Sequence, residues 1–258
     1  MKTSEEKIIS FLENKFPKSN ALSWDFVGYS LKSKPNKYSN LKVLICLDVN
    51  QKAIEQAIEN QVNLIISFHP FKFGKTWKEI YEKDIFKQHQ VNQLKKNKIS
   101  VYSLHTNYEK NKPNINIQKV AQRIPQFKLF QNYDFMSIVS FKGSMKNLVD
   151  IFKKTFEFNN ILSNAELDYE IKNFVFMPGA GDVYEFLKLH KQHQVDLLIT
   201  SDIKWNEQQL LNSQGIKFMM VPHMIENVFV ENLSTIISNQ FQDVEIIKLI
   251  ERDFVKGY

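Results

Sequence analysis

Hydrophobic and polar positions along the chain follow two alternating patterns. Short continuous apolar runs, such as Val43–Leu47 and Leu64–Ile66, are typical of strands that are buried on both faces. In Ser4–Phe16 the apolar positions recur every three or four residues, which indicates an amphipathic helix. Strand and helix patterns alternate after short connections through residues 43–104 and again through residues 174–250. This order predicts an α/β fold with mainly parallel sheets.

The two α/β stretches form a weak internal repeat. Each contains a strand, a helix, a strand ending in polar residues, a helix, and a strand ending in histidine. Alignment places Leu64–His69 on Leu197–Asp202 and His105 on His223. We therefore expect two related halves whose polar strand ends line a shared cleft, because ligands of α/β sheets bind at the carboxyl ends of strands.

The repeat predicts two interlinked α/β domains, one covering residues 1–125 and the other residues 126–258. The first contains the turns SFHP and HTNYE, and the second contains PGAG, TSDIKWN and PHMIEN. The pattern leaves open whether the chain ends interlink the two domains.

Composition excludes several classes of protein. The chain has 258 residues, of which 43% are hydrophobic and 24% are charged, so it can bury a core and is not disordered in bulk. Its apolar runs are too short to span a bilayer, and its charged N-terminus does not resemble a signal peptide. We therefore expect a cytoplasmic protein. The single cysteine, Cys46, excludes a disulfide framework and directs any metal to histidine and carboxylate ligands.

The net charge of +6 comes from 34 basic and 28 acidic residues. Only Arg123 and Arg252 are arginines, although the planar guanidinium is the preferred group for reading bases and binding phosphates in pairs of hydrogen bonds. Two interpretations stay open: compositional drift in an AT-rich genome, or a lysine surface that attracts a small anionic substrate. Nucleic-acid binding ranks below both, and no feature indicates a membrane partner.

Three histidines stand directly after predicted strands. These are His69, His105 and His223; Glu109 follows the second of them by four residues, and Glu226 follows the third by three. Imidazoles and carboxylates that converge from strand ends are ligands for Zn, Fe, Mn or Ni. The alternative is that each histidine only caps a strand end.

Six short motifs in order and spacing resemble the NIF-three-like family, dinuclear-metal α/β proteins often labelled as GTP cyclohydrolase 1 type 2 homologues. They are SWDFVG (Ser23–Gly28), LICLDVNQKAIEQAIENQVNLIISFHP (Leu44–Pro70), VYSLHTNYE (Val101–Glu109), PGAG (Pro178–Gly181), DLLITSDIKWN (Asp196–Asn206) and VPHMIEN (Val221–Asn227). The resemblance covers nearly the whole chain. It implies two interlinked domains, a metal site in the cleft between them, and a homohexameric ring built from dimers.

The family's metal site draws ligands from a His-His-Pro turn, an acid after a His-Thr-Asn turn, and a C-terminal His and Glu. Three of these positions are retained here as His69, Glu109 and His223. The resemblance also implies that Asp25, His105, Asp202 and Asn227 line the cleft. Glu109 is the candidate for acid–base catalysis as well as a candidate ligand.

Two ligand positions of the family are altered. Phe68 stands in place of the first histidine and cannot bind a metal, and Asn227 stands in place of the glutamate. Glu226 becomes a candidate ligand if the turn is shifted by one residue. Two metals need several charges to offset their mutual repulsion. We therefore expect one divalent metal and no second one, with an empty site as the alternative.

Three functions follow from these expectations. The first is a metal-dependent hydrolase of a phosphoester or nucleotide-type substrate, with the cyclohydrolase label resting on resemblance only. The second is a non-catalytic binding or scaffold protein that has lost the dinuclear site. The third is a protein that binds nucleic acid on a basic ring surface.

Overall fold

The computed structural model describes residues 4–34 and 41–256, which contain eleven strands and ten α-helices. The strands are β1 (Gly28–Leu31), β2 (Lys42–Cys46), β3 (Leu64–Ser67), β4 (Ser100–Ser103), β5 (Lys128–Asn132), β6 (Ser137–Ser144), β7 (Leu162–Ser163), β8 (Glu170–Met177), β9 (Leu197–Thr200), β10 (Lys217–Met220) and β11 (Glu245–Lys248). The helices are α1 (Ser4–Lys15), α2 (Gln51–Glu59), α3 (Trp77–Lys83), α4 (Lys87–Lys96), α5 (Thr106–Glu109), α6 (Ile115–Arg123), α7 (Met145–Phe156), α8 (Val183–His193), α9 (Trp205–Ser213) and α10 (Val228–Gln240). None of the described helices is both long and apolar enough to cross a membrane.

The chain divides into two compact units, which confirms the predicted two-domain α/β fold. One unit comprises Met1–Lys110 and Phe229–Glu251, and the other comprises Asn111–Val228 and Arg252–Tyr258. Neither unit is one continuous stretch, because nearly all of α10 and the whole of β11 belong to the first. The domain boundary between residues 125 and 126 stays a prediction.

The first unit is built on a five-stranded sheet in the order β1-β4-β3-β2-β11. Strands β4, β3, β2 and β11 run parallel, and β1 pairs antiparallel with β4. Every residue of β3 and β4 is buried, as expected of central parallel strands covered on both faces. Because β2, β3 and β4 run in one direction, the residues that follow them, Asp48, His69 and His105, share one edge of this sheet.

The second unit is built on a six-stranded sheet in the order β5-β6-β8-β9-β10-β7. Strands β8, β9 and β10 are parallel, and the outer strands pair antiparallel. Asp202 and His223 follow β9 and β10 and therefore share the carboxyl edge of this sheet. Each unit thus contains three parallel strands in succession, with an antiparallel strand (β1 or β7) beside the last of them.

Candidate metal site and its histidine–carboxylate pairs

His69 lies at the carboxyl edge of the first sheet, two residues after β3 ends. Its Nδ1 is 3.0 Å from Oδ1 of Asp48, which follows the neighbouring strand β2. The hydroxyl of Ser67 donates to the carbonyl oxygen of His69 at 2.8 Å and fixes the backbone there. A carboxylate at Nδ1 favours the tautomer protonated on that nitrogen, which makes Nε2 the metal-binding nitrogen.

His105 is held by a second carboxylate at the same edge. Its Nδ1 lies 3.1 Å from both oxygens of Asp25, whose side chain is fully buried. The backbone N–H and the hydroxyl of Thr106 donate to Oδ2 of Asp25 at 3.0 and 2.5 Å. Burial acts to raise the pKa of Asp25, but the hydrogen bonds from His105 and Thr106 outweigh it and lower that pKa. The ionised Asp25 therefore fixes the imidazole of His105 and the start of α5.

Glu109 is the last residue of the short helix α5 and is buried. Its backbone N–H donates to the carbonyl oxygen of His105 at 3.1 Å, so the turn that carries both residues is closed by a hydrogen bond. Its roles as a metal ligand and as an acid–base group stay predictions.

Phe68 fills the core of the first unit. It is fully buried, and its ring centroid lies 4.9 Å from that of Phe229 and 6.2 Å from that of Tyr108. The ring centroid of Phe68 also lies 5.1 Å from that of His69 and 5.2 Å from that of His105. An apolar ring therefore occupies the position at which the family resemblance implies a ligand histidine, and it packs beside the two histidines.

His223 lies at the carboxyl edge of the second sheet, in a 3-10 turn that covers His223–Asn227. Its Nδ1 is 2.6 Å from Oδ2 of Asp202, and its Nε2 is 3.0 Å from Oε2 of Glu226. Burial acts to lower the pKa of His223, but the two carboxylates outweigh it and raise this pKa to about 10. A positive charge is thus strongly favoured between Asp202 and Glu226.

The 3-10 turn directs Glu226 toward His223, since residues three apart lie on one face of such a helix. Glu226 and Asn227 are both buried, and the carboxylate of Glu226 is the group in contact with the imidazole. This geometry favours Glu226, as a ligand candidate, over the neighbouring amide.

The PGAG turn packs directly against Glu226. Gly179 has a φ of +77°, and a Cβ at this position would clash with Oε1 of Glu226. The hydroxyl of Thr200 donates to the carbonyl oxygen of Gly179 and accepts from the N–H of Gly181, at 2.8 and 2.9 Å. The turn is therefore fixed to the end of β9, and the absence of a side chain at Gly179 leaves room for the carboxylate.

The pairs Asp48–His69 and Asp202–His223 have the same arrangement relative to their strands. In each, the aspartate follows one parallel strand and the histidine follows the adjacent strand, 21 residues later. Sequence reasoning named Asp202 only as a cleft residue and missed the role of Asp48. The available signal was an acid at the end of the strand that precedes the histidine's strand.

The donor set fits a single divalent metal. His69, His223 and Glu226 could together hold a metal ion. Two imidazole nitrogens and one carboxylate oxygen are a ligand set used by Zn and by non-haem Fe in enzymes. Carboxylates on the far side of both imidazoles, Asp48 and Asp202, are the partners that ligand histidines usually have.

Comparison with known families gives a match over almost the whole chain. The family model described as Duf34/NIF3 (NGG1p interacting factor 3) matches residues 3–253. A protein of Mycoplasmopsis pulmonis named GTP cyclohydrolase 1 type 2 homolog is 28% identical over 232 residues, which cover 90% of this chain and 92% of that protein. A Helicobacter pylori protein named GTP cyclohydrolase 1 type 2 is 27% identical over 210 residues, 78% of this chain and 77% of that protein.

Solved structures share the fold. A hypothetical protein of Staphylococcus aureus superposes with a TM-score of 0.80 at 19% identity, covering 97% of each chain. Reduced HcgD from Methanocaldococcus jannaschii superposes with a TM-score of 0.74 at 23% identity, covering 96% of this chain and 97% of that one. At these identities the likeness concerns the fold alone.

Proposed function

Because the chain belongs to the Duf34/NIF3 family, we propose that it is a metal-dependent hydrolase of a phosphoester or nucleotide-type substrate. His69, His223 and Glu226 are the proposed ligands of one divalent metal. The observation that carries this proposal is the repeated pair of an aspartate and a histidine Nδ1, at 3.0 Å for Asp48–His69 and 2.6 Å for Asp202–His223. The cyclohydrolase names of several relatives support the nucleotide-type substrate.

The side chains around this ion have distinct tasks. When bound, a divalent metal supplies a Lewis acid and lowers the pKa of a water molecule. Asp48 and Asp202 hold the two imidazoles in orientation and raise their basicity. Glu226 contributes a negative charge that offsets part of the charge of the ion. Three protein ligands are the usual number in catalytic sites, which keep a position for substrate or water.

Glu109 is the proposed proton acceptor of the reaction. It is a buried carboxylate whose backbone is fixed at the carboxyl edge of the first sheet. Glu109→Gln keeps the size of the side chain and removes the basic oxygen. We expect this variant to lower kcat by about 100-fold or more and to keep its metal, as for the loss of a general base. If the metal content falls as well, Glu109 is a ligand.

Metal counting combined with hydrolysis tests the proposal. The protein is reconstituted with Zn, Mn or Fe, and metal per chain is measured together with hydrolysis of a panel of phosphoesters and nucleotides. His69→Ala and His223→Ala should each lose metal and activity, whereas His89→Ala, an exposed histidine on α4, should change neither. Full activity in chelator-treated, metal-free protein would refute the proposal.

A second candidate function is a non-catalytic binding or scaffold protein. The complete burial of Phe68 favours it, because that position cannot help to hold a second ion. It predicts that Zn, Mn and Fe leave the thermal stability unchanged. A metal that binds only the native state instead raises the free energy of unfolding, by about 2.7 kcal/mol at 100 times its Kd.

The proposed assembly is a homohexameric ring, as the family resemblance implies, and its proposed location is the cytoplasm. Light scattering on the purified protein should then give six times the chain mass of 30.5 kDa. A monomeric or dimeric mass at micromolar concentration would refute the ring.

A further inference from the structure

Three aromatic residues of the first unit form a cluster of two exposed rings and one partly exposed ring, which we call the aromatic platform: Trp24, Phe73 and Phe26. Trp24 is 51% exposed and Phe73 is 59% exposed. The ring centroids of Trp24 and Phe73 lie 6.1 Å apart, and those of Phe26 and Phe73 lie 5.6 Å apart. Single exposed apolar residues are common on proteins, but rings that touch one another in solvent mark a site for a ligand or partner.

Hydrogen bonds hold the backbone around Trp24 and Phe26 in place. Asp25, between its two N-terminal rings, is anchored by the hydrogen bonds from His105 and Thr106. The backbone N–H of Phe26 donates to Oδ1 of Asp25 at 2.8 Å, and that of Leu22 donates to the hydroxyl of Thr106 at 3.0 Å. A surface that is already ordered loses little conformational entropy when a ligand binds. The anchoring therefore suits recognition.

The platform is continuous with a proposed metal ligand through ring contacts. The ring of Trp24 meets that of His105 edge-on, with centroids 5.9 Å apart. The ring of His105 in turn lies 5.5 Å from that of His69. A ligand resting on Trp24 would thus have another part of its structure within reach of His69.

The chain that follows the platform carries most of the net charge. Residues 71–98 contain eight lysines and three acidic residues, a net charge of +5 against +6 for the whole chain. Lys75, two residues beyond Phe73, is exposed. A concentration of positive charge raises the local concentration of anions.

We propose that the aromatic platform of Trp24, Phe26 and Phe73 binds the planar base of an anionic nucleotide by ring stacking. This binding mode rests on the proposed hydrolase function, because that function places the phosphate of the nucleotide near His69. Stacking on aromatic side chains tolerates any base, because every base has a π-face. The platform therefore selects for a flat ring and not for one particular base.

The test compares two sugar phosphates, one of which carries a base where the other carries a hydroxyl group. GMP and ribose 5-phosphate are titrated into the full-length protein by calorimetry, with and without Mn. We expect GMP to bind at least about tenfold more tightly, in the range removed by alanine substitution of a stacking residue. Trp24→Ala and Phe73→Ala should each abolish most of this advantage and leave the affinity for ribose 5-phosphate unchanged.

The control is Phe130→Ala, which removes an aromatic ring that is 73% exposed on β5 of the other unit. It should retain the full advantage for GMP, and Trp24→Phe should retain most of it. Equal affinities for the two phosphates in the parent protein, or an unchanged advantage in Trp24→Ala, would overturn the platform. A fall in the oligomeric mass of Trp24→Ala would identify the cluster as a subunit contact and overturn it as well.

Failure of the platform and failure of the hydrolase are distinguishable. The advantage for GMP is a binding measurement that requires no turnover. If GMP binds more tightly than ribose 5-phosphate in a way that depends on Trp24, while no substrate is hydrolysed, base binding by the platform is supported and the proposed hydrolase is refuted. If hydrolysis depends on His223 while GMP and ribose 5-phosphate bind equally well, the hydrolase is supported and base binding by the platform is refuted.

Discussion

Adding one methyl group at Gly179 is expected to disturb the proposed metal site without touching a ligand. Gly179 has a φ of +77°, a left-handed conformation that side chains other than glycine rarely adopt. The new Cβ would clash with Oε1 of Glu226 and would lie 3.6 Å from Nε2 of His223. Gly179→Ala must therefore either move the turn or displace the carboxylate.

The size of the effect separates into two parts. The left-handed backbone costs about 1–2 kcal/mol when glycine is replaced, whatever surrounds it. The clash adds a further term only at Gly179, because no atom lies within 4 Å of a Cβ built at Gly215, whose φ is +70°. Gly215→Ala is thus a matched control that has the strain without the clash.

The assay combines urea unfolding of the metal-free variants with titration of Mn or Zn. We expect both variants to lose about 1–2 kcal/mol of stability from backbone strain. Only Gly179→Ala should bind the metal more weakly, by about tenfold or more, equivalent to at least about 1.4 kcal/mol. If the two variants bind metal equally well, Glu226 is not a ligand, or the turn does not position it.

Three further outcomes follow from the contacts. Asp48→Asn and Asp202→Asn should each weaken metal binding by about 10–100-fold, as measured by competition with a chelator. Phe68→Ala should lower the free energy of unfolding by about 3–5 kcal/mol in a denaturant titration, since the ring is fully buried. Burial raises the pKa of Glu5, whose Oε1 accepts from the hydroxyl of Tyr29 at 2.8 Å. Protonation of Glu5 is therefore more favoured in the native state than in the unfolded state. The resulting contribution to stability is fully present below the unfolded pKa and is lost as pH rises through the native pKa. Glu5→Gln should therefore stabilise the protein at pH 7 and lose this advantage below pH 4.5.

The outcome for Phe68→Ala has a matched comparison. Phe130→Ala should change stability by less than about 0.5 kcal/mol, because its ring is already exposed. An Asp48→Asn variant with parental metal affinity would show that the carboxylate does not support His69. A constant effect of Glu5→Gln between pH 4 and pH 8 would contradict the assignment of a raised pKa.

The central strands of both sheets were predictable because burial on both faces leaves an unbroken apolar run. Strands β2, β3, β9 and β10 all lie within or next to such runs. Strands β1 and β5 were missed, since both are edge strands and many of their residues are partly exposed. Helix α3 was also missed, although its capping box of Thr76 and Glu79 is a signal in the sequence.

The sequence predicts which residues belong to the site, but it does not predict which aspartate pairs with which histidine. His69 and His223 were identified from their place after buried strands. The partner of each is set by the strand that lies beside it, and that order is a property of the folded sheet. The sequence alignment equated His69 with Asp202, whereas the hydrogen bonds equate the pair Asp48–His69 with Asp202–His223. The sequence repeat therefore matches β3 with β9, whereas the aspartate–histidine pairs match β3 with β10, the next strand along the chain.

We propose that His69, His223 and Glu226 hold one divalent ion. Elemental analysis of the reconstituted protein, with metal counted per chain, tests it most directly. We expect one ion per chain in the parent protein and in His89→Ala, and a loss of that ion in His223→Ala and Glu226→Ala. Two ions per chain, or none in the parent protein after reconstitution with Zn, Mn and Fe, would contradict it.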